Sequence, residues 1–561
     1  MSAATSAVTA AGLQAPSLRS RLLGLGSIFG KAFRDSRRTS IALGALFALV
    51  VIVTASQIAQ QFGTVAERLK FATQLQGLPP VFQGMLGEPI GIDKLGGFLS
   101  WRILNFMPVT LGIWAVVAMS GLLAAELGRG SMDFLAAAPV SRWRLALEKL
   151  AGYLVALFVT TALLTLGLIV AIAAFSTLAG DDPGIGAILS QAVWAYLTIV
   201  FPGAVAFAVA PVLGRNQALG LGAVVLFGSF VINGYASSVS AFAQIKGISY
   251  FAITSGHRPM AGISDWGSIA LEAGLIAAFL IVGLITFTRR DLVVAAGGRI
   301  HLPSIGLWLR EPLTRAFGER LPAAIGWGLF LGLFGLVIST SADEFVKTLG
   351  SIPQVVAMIQ AIFPNDDVLS TGGFLQLTFF SEAILVITLA AGGFVGGWAS
   401  DESERRLEVV LGTPVSRTRW AVRSGTAVML AIAVMTAVMT VAVAIGAATQ
   451  SGDIVKPVVG LSVLGLYGMA LAGVGLAAGG LIRPGIGAAV TVVLGLGFFL
   501  LDLIGSILKL PAPILDLALN RHLGRPMLGT YDWAGIAVCA ALAIGGVIVS
   551  TIGMRRRDIG R

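Results

Sequence analysis

Twelve runs of about 20 mostly apolar residues, each the length of a membrane-crossing helix, occupy about half of this chain. They lie near 40–60, 104–126, 151–176, 188–213, 217–235 and 267–287, then near 322–341, 373–398, 422–447, 457–481, 485–506 and 533–553. Only 12% of the 561 residues are charged, about half the share usual in soluble domains. The expected fold is therefore an all-α polytopic membrane protein with 12 transmembrane helices. The fourth and fifth runs are split only by Arg215-Asn216-Gln217, and the tenth and eleventh only by Arg483-Pro484, yet each pair has apolar length for two spans. The 71 glycines suit helices that approach closely in lipid, where no hydrophobic drive draws them together. Gly392/Gly396 and Gly393/Gly397 have the small-xxx-small spacing.

An even number of spans puts both termini on one side. Of the 38 Lys and Arg residues, 27 fall on that side, which marks it as cytoplasmic. The net charge of +10 belongs to those loops. No basic patch interleaved with aromatics is present, so nucleic acid is not an expected partner. Residues 1–16 lack a basic region followed by a sustained apolar core and read as a disordered tail, not a signal peptide. Cys539 stands alone, which excludes an intrachain disulfide. Two basic, amphipathic stretches, Ser17–Arg38 and Pro303–Arg320, precede the first and seventh spans and read as helices lying in the headgroup plane.

The chain is duplicated. Lys31-Ala32-Phe33 with Asp35 pairs with Arg315-Ala316-Phe317 and Glu319, and Pro139-Val140-Ser141-Arg142 with Pro414-Val415-Ser416-Arg417. Arg215 pairs with Arg483, Val224-Val225-Leu226 with Val492-Val493-Leu494, and Arg289-Arg290-Asp291 with Arg556-Arg557-Asp558. Six spans per half give both halves one orientation, so the repeats are parallel, with a substrate path expected between them. The units run 17–291 and 321–561, joined by a linker with its amphipathic helix at 292–320.

The repeated Pro-Val-Ser-Arg lies in a charged loop between the second and third spans of each half. Glu126, Arg129 and Asp133 surround an apolar stripe of Met132, Leu135 and Ala136. Asp401, Glu404, Arg405 and Glu408 surround Leu407, Val410 and Leu411. The i, i+3, i+4 spacing predicts a short amphipathic helix. It ends before Pro139 or Pro414, since the residue ahead of a proline avoids the helical region. Such a helix suits a groove on a soluble partner, and two related loops imply a two-fold related partner.

A segment of the form acidic–x6–acidic–x5–Pro-Val-Ser-Arg in this position resembles the ABC-2 type permeases, the membrane subunits of ATP-binding-cassette exporters. The resemblance covers nearly the whole chain as two fused six-helix units. It is most similar to the actinobacterial antibiotic and multidrug permeases of the tetronasin-exporter type. It implies a type V exporter-like architecture in the inner (plasma) membrane, of an actinobacterium in source, that moves small amphiphilic compounds. It also implies that Glu126, Arg129, Met132, Asp133, Leu135, Pro139 and Arg142, with Asp401, Glu404, Leu407, Glu408, Val410, Pro414 and Arg417, form the coupling loops that meet an ABC ATPase, in two copies. Segments Ser237–Gly262 and Ser506–Trp533 match the family's hairpin-like piece between spans five and six.

The chain is not its own motor. A phosphate-cradling loop needs Gly-x4-Gly-Lys-Ser/Thr, whereas Gly30-Lys31 has Leu25 at the first glycine position and Ala32 after the lysine. No cofactor is expected in this chain. ATP and Mg²⁺ belong to the partner. Glu382 is the deepest acidic residue, about nine residues into its span, and is the candidate for lining the substrate path. Glu272 and Asp502 fall near outer span ends. The three histidines, His257, His301 and His522, are scattered in loops and form no metal set. Two other readings remain open: a proton-coupled secondary transporter of the six-plus-six type using Glu382, and a non-transport membrane scaffold.

Overall fold

The computed structural model describes residues 27–76, 87–123, 141–237, 240–289, 312–350, 369–403, 406–449, 453–507 and 510–557. Twelve helices in it are long and apolar enough to cross a membrane. The first six are α1 (Ile28–Gln61), α2 (Leu95–Gly121), α3 (Arg142–Phe175), α4 (Ile185–Leu213), α5 (Arg215–Tyr235) and α6 (Trp266–Arg289). The second six are α7 (Pro312–Thr340), α8 (Thr371–Glu402), α9 (Arg417–Ala448), α10 (Val455–Leu481), α11 (Pro484–Ile507) and α12 (Trp533–Arg556). With an even number of crossings, one face of the bundle carries both chain ends. We call it the terminal face and its opposite the distal face.

The close pairs are full, separate spans. Gly214 divides α4 from α5 at φ 83°, a conformation that glycine adopts without strain. Pro484 opens α11 at its first position, where a missing N–H costs nothing. Only part of each expected interfacial helix lies among the described residues, and that part continues into its span. Residues 28–38 are the first turns of α1, and residues 312–320 the first turns of α7, without a break. Arg320, 6% exposed, sits inside the α7 helix and donates from Nη1 to the Ala316 carbonyl at 2.6 Å. Residues 17–26 and 303–311 lie outside the described residues.

Both halves pack by one plan. α1 lies along α3 as α7 lies along α9, and α4 is flanked by α2, α5 and α6 as α10 is by α8, α11 and α12. Glycine permits these approaches. A Cβ added at Gly546 on α12 would lie 2.2 Å from the Gly473 carbonyl oxygen on α10, and one at Gly553 would lie 2.6 Å from Gly480. On α7, Gly328, Gly332 and Gly335 face Met435, Val438, Ala442 and Val443 of α9. Gly392 seats Val492, whereas Gly393 meets nothing, so only one register of that spacing is used.

The third span of each half begins with the same cap. Ser141 and Ser416 have extended backbone, and each hydroxyl accepts the amide of the residue three on, Arg144 or Arg419, at 3.2 Å. The serine of Pro-Val-Ser-Arg thus satisfies an amide left unpaired at the helix start.

The halves meet along a seam. α5 packs on α8, and its Gly220 and Gly228 face Trp327 and Phe330 of α7. On the other side α11 makes a lesser contact with α1. One apolar core runs through both halves. Replacing Gly546 with Leu should part α10 from α12 and destabilise the protein by about 2 kcal/mol or more. Thermal unfolding in detergent would show a lowered midpoint, while Gly545→Leu, at a position that faces nothing within 4 Å, should change it little.

Candidate functional site

On the terminal face, the second coupling segment forms a short helix, Arg406–Leu411, followed by a turn through Gly412 and Thr413. Leu407 is 1% exposed and belongs to the core, with Val410 and Leu411 packed beside it. The apolar stripe expected to enter a partner's groove is therefore held by the chain itself. A short helix at a bundle end is stabilised mainly by burying that stripe. Glu408, Gly412, Thr413, Pro414 and Arg417 remain exposed.

Asp401 also faces inward, within electrostatic reach of Arg320. Glu402 pairs with Arg557, whose carbonyl accepts from Arg417 Nη1 at 3.1 Å, tying the end of α12 to this segment. Glu404 lies outside the described residues. So do Glu126, Arg129, Met132, Asp133, Leu135 and Pro139 of the first loop. Arg142 is exposed at the start of α3, matching Arg417 at the start of α9.

On the distal face, two motifs escaped sequence reading. Gly-Gly-Phe-Leu occurs at 96–99 and at 372–375, and Arg-Pro-Met-x-Gly at 258–262 and at 525–529. In each half the first opens the second span. It runs directly into a π-helical turn, Ser100–Leu104 or Gln376–Phe380. The second forms a single 3₁₀ turn closed by Gly262 or Gly529 at φ 81° or 80°. The two meet. A Cβ at Gly96 would lie 3.1 Å from the Met260 carbonyl, and one at Gly372 would lie 2.4 Å from that of Met527. Both pieces thus form a cap on the second span. The expected hairpins are short helical turns, with an Arg258–Ile263 bridge in one half and paired two-residue strands, Gly524–Arg525 and Thr530–Tyr531, in the other. The signal was in the sequence as a second and third repeated motif.

The first-half cap is the more polar. His257, 2% exposed, accepts the Asp265 amide on Nδ1 at 3.0 Å and lies 3.0 Å from Ser190 Oγ through Nε2. Nδ1 also lies 3.2 Å from the Asp265 carbonyl oxygen, to which a protonated Nδ1 would donate. Burial holds this imidazole below its ordinary pKa, against the opposing hydrogen bonds from Asp265 and Ser190. Trp194 Nε1 donates to Thr254 at 3.1 Å, and Tyr250 stacks on Phe201 at 4.5 Å. Arg68 and Asp181 form an ion pair with side chains 3% and 1% exposed. Asp181 also accepts the amides of Leu95 and Leu178.

Three acidic residues lie along the spans. Asp502 pairs with Arg521 and Asn520, half-exposed at a distal end. Glu272, expected near a span end, is instead 0% exposed, because the cap folds over it. Neither carboxylate oxygen meets a well-formed hydrogen bond, though Thr198 and Tyr250 lie within electrostatic reach. At the repeat offset of 267 its place is taken by Cys539, also buried. Glu382 follows the π-turn of α8 and sits on the seam. Its Oε1 is buried without a partner, as is the Tyr235 hydroxyl of α5, within electrostatic reach across the halves.

Among the described residues no group of three or more metal-ligating side chains converges. A distal cleft of about 590 Å³, lined by Asp343, Lys347, Ser370, Asp453, Lys456 and Met527, lies wholly within the second half and off the seam.

Among the described residues, twelve apolar helices with matched caps at one face define a multi-pass membrane protein. Residues 27–292 match the ABC-2 family transporter protein family, and residues 309–555 match the C-terminal domain of the multidrug efflux system permease Rv1217c. No curated protein matches the chain. The chain belongs to the ABC-2 type transporter permeases, a family of transport subunits, and is a multi-pass membrane protein.

Removing one partner of the buried pair, as in Asp181→Asn, leaves Arg68 uncompensated and should cost about 3–5 kcal/mol. The double change Arg68→Met with Asp181→Leu should recover most of it, read as thermal midpoints. His257 predicts a pH effect. A folded pKa below the unfolded value near 6.5 means the unfolded chain binds more protons as pH falls through that range. Stability should then drop between pH 7.5 and 5.5, and His257→Asn should flatten the slope. Asp265, whose pKa is held low by the Ser268 hydrogen bonds, titrates below this window.

Proposed function

We propose that the chain is the permease of an ATP-driven exporter that moves small amphiphilic compounds out of the cell by alternating access between its halves. The terminal face is then cytoplasmic, as the 27 of 38 basic residues on that side favour. The observation that carries this reading is the matched pair of loops after α2 and α8, each turning into the next span through a Ser cap and an exposed Arg, Arg142 or Arg417. A separate ABC ATPase, in two copies, meets the chain there and holds the ATP and Mg²⁺.

The exposed groups define the docking face in this reading. Glu408, Pro414 and Arg417 touch the ATPase, and Leu407 with Asp401 transmits its push. Leu407 is locked into the core, and Asp401 faces Arg320 on α7. Movement of the short helix therefore reaches α7, and α7 lies against α5 on the seam. The link to export of drugs rests on the match of residues 309–555 to a multidrug efflux permease domain.

Co-purification from membranes tests the proposal. With Glu408→Lys and Arg417→Glu together, an ABC ATPase that co-purifies with the unaltered chain should be lost or reduced by tenfold or more, while the permease keeps its thermal midpoint. ATP-dependent efflux that survives in this variant would exclude docking at this loop. Efflux that follows a proton gradient without ATP would instead support secondary transport.

A further inference from the structure

We propose that the seam between the halves holds a binding site for a lipophilic organic cation of single charge, with Glu382 as its counter-ion and Tyr235, Phe334 and Phe379 as its aromatic walls. Glu382 is the twelfth residue of α8, roughly 16 Å along the axis from the distal end. It stands three residues after Phe379, one turn along the helix, just past the π-turn. Such turns interrupt the regular ladder and recur at functional positions.

Phe379 packs on Phe334 of α7 at 5.4 Å, and Phe334 packs on Tyr235 of α5 at 6.0 Å. The three rings bridge the halves beside the carboxylate. The site is unfinished as it stands. Glu382 Oε1 and the Tyr235 hydroxyl are both buried, and neither has a hydrogen-bond partner. Leaving such groups unmet is costly in an apolar medium, and a cation placed against the carboxylate would offset that cost at Glu382.

The chemistry of the walls selects the occupant. Ring faces carry negative charge density and attract cations, more strongly when water is excluded. A carboxylate adds to that attraction and repels an anion. A metal ion is a poor fit, because a hard cation wants six or more oxygen ligands, and three walls here are hydrocarbon. The charge is single because the site is one-sided. At the matching place in α2, between the repeat offsets of 275 and 276, stand Phe106 and Met107. There, Phe106 packs on Phe230 at 5.7 Å.

The inference rests on the transport reading for its biological role, but binding is measured apart from transport. The full chain, purified in detergent without ATPase or nucleotide, is titrated with tetraphenylphosphonium and with its isosteric anion, tetraphenylborate. The cation should bind and the anion should not compete. Glu382→Gln should weaken the cation about tenfold or more, Glu382→Asp should stay within a few-fold, and Tyr235→Leu should cost about fivefold. Wild-type affinity in Glu382→Gln, or equal binding of the borate to the unaltered chain, overturns the proposal. If Glu382→Gln does not fold, the cation-against-anion comparison and Tyr235→Leu decide it: equal affinity of the two ions, or no effect of the leucine, counts against the site. Cation binding that persists when ATP-driven efflux is absent overturns the export reading alone.

Discussion

Close backbone contact between helices is the constraint on which this structure depends. In lipid, apolar side chains gain little by leaving hydrocarbon for a neighbouring helix, so association relies on van der Waals packing and short approaches. Here Gly473 lies on Gly546 and Gly480 on Gly553, one heptad apart on both helices, so that α10 and α12 meet along a strip of bare backbone. Gly44 and Gly167 do the same for α1 and α3. Helices joined so tightly move as units. Motion is then left to the seam, where aromatic side chains rather than backbones meet.

The two ends of the bundle are built differently. At the terminal face the short helix Arg406–Leu411 is held by buried Leu407, and the segments flanking it by polar contacts of Asp401, Glu402 and Arg417 with α7 and α12. At the distal face the Arg-Pro-Met-x-Gly turn sits backbone-to-backbone on a Gly-Gly start, and in the first half the Arg68–Asp181 pair and the His257 network add to it. The first cap is thus pinned by polar contacts, while the second has two short strands and a Met527 amide bonded to Gln376.

Much of this was legible in the sequence. The twelve spans stand out because apolar length is a one-dimensional property, and Arg215 and Arg483 mark true breaks. The serine of the repeated tetrapeptide is a cap because Ser before a basic helical start has one common use. Three features were not legible. Continuity of residues 28–38 with α1 depends on a helix not ending, and no breaker was there to read either way. The inward face of Leu407 depends on which side of a six-residue helix meets the bundle, which spacing alone leaves open. The burial of Glu272 depends on a cap that folds back from about twenty residues away in sequence. The Gly-Gly-Phe-Leu and Arg-Pro-Met-x-Gly repeats were visible and went unread because they lie at offsets of 276 and 267, away from the charged loops.

The offset falls from 276 at Gly-Gly-Phe-Leu to 275 at the charged loop because the first half carries one more residue between Leu99 and Glu126 than the second does between Leu375 and Asp401. The helix of α2 is interrupted where the extra residue fits, at the Asn105–Phe106 turn, while α8 runs on from its π-turn. One residue turns a helix by about 100°, so equivalent positions beyond that point no longer face equivalent neighbours. A dimer of identical six-helix chains has no such freedom, since every insertion and every charge appears twice about its axis. Joining the two units in one polypeptide removes that symmetry. A single acidic residue can then occupy one wall of the seam with a hydrocarbon surface opposite.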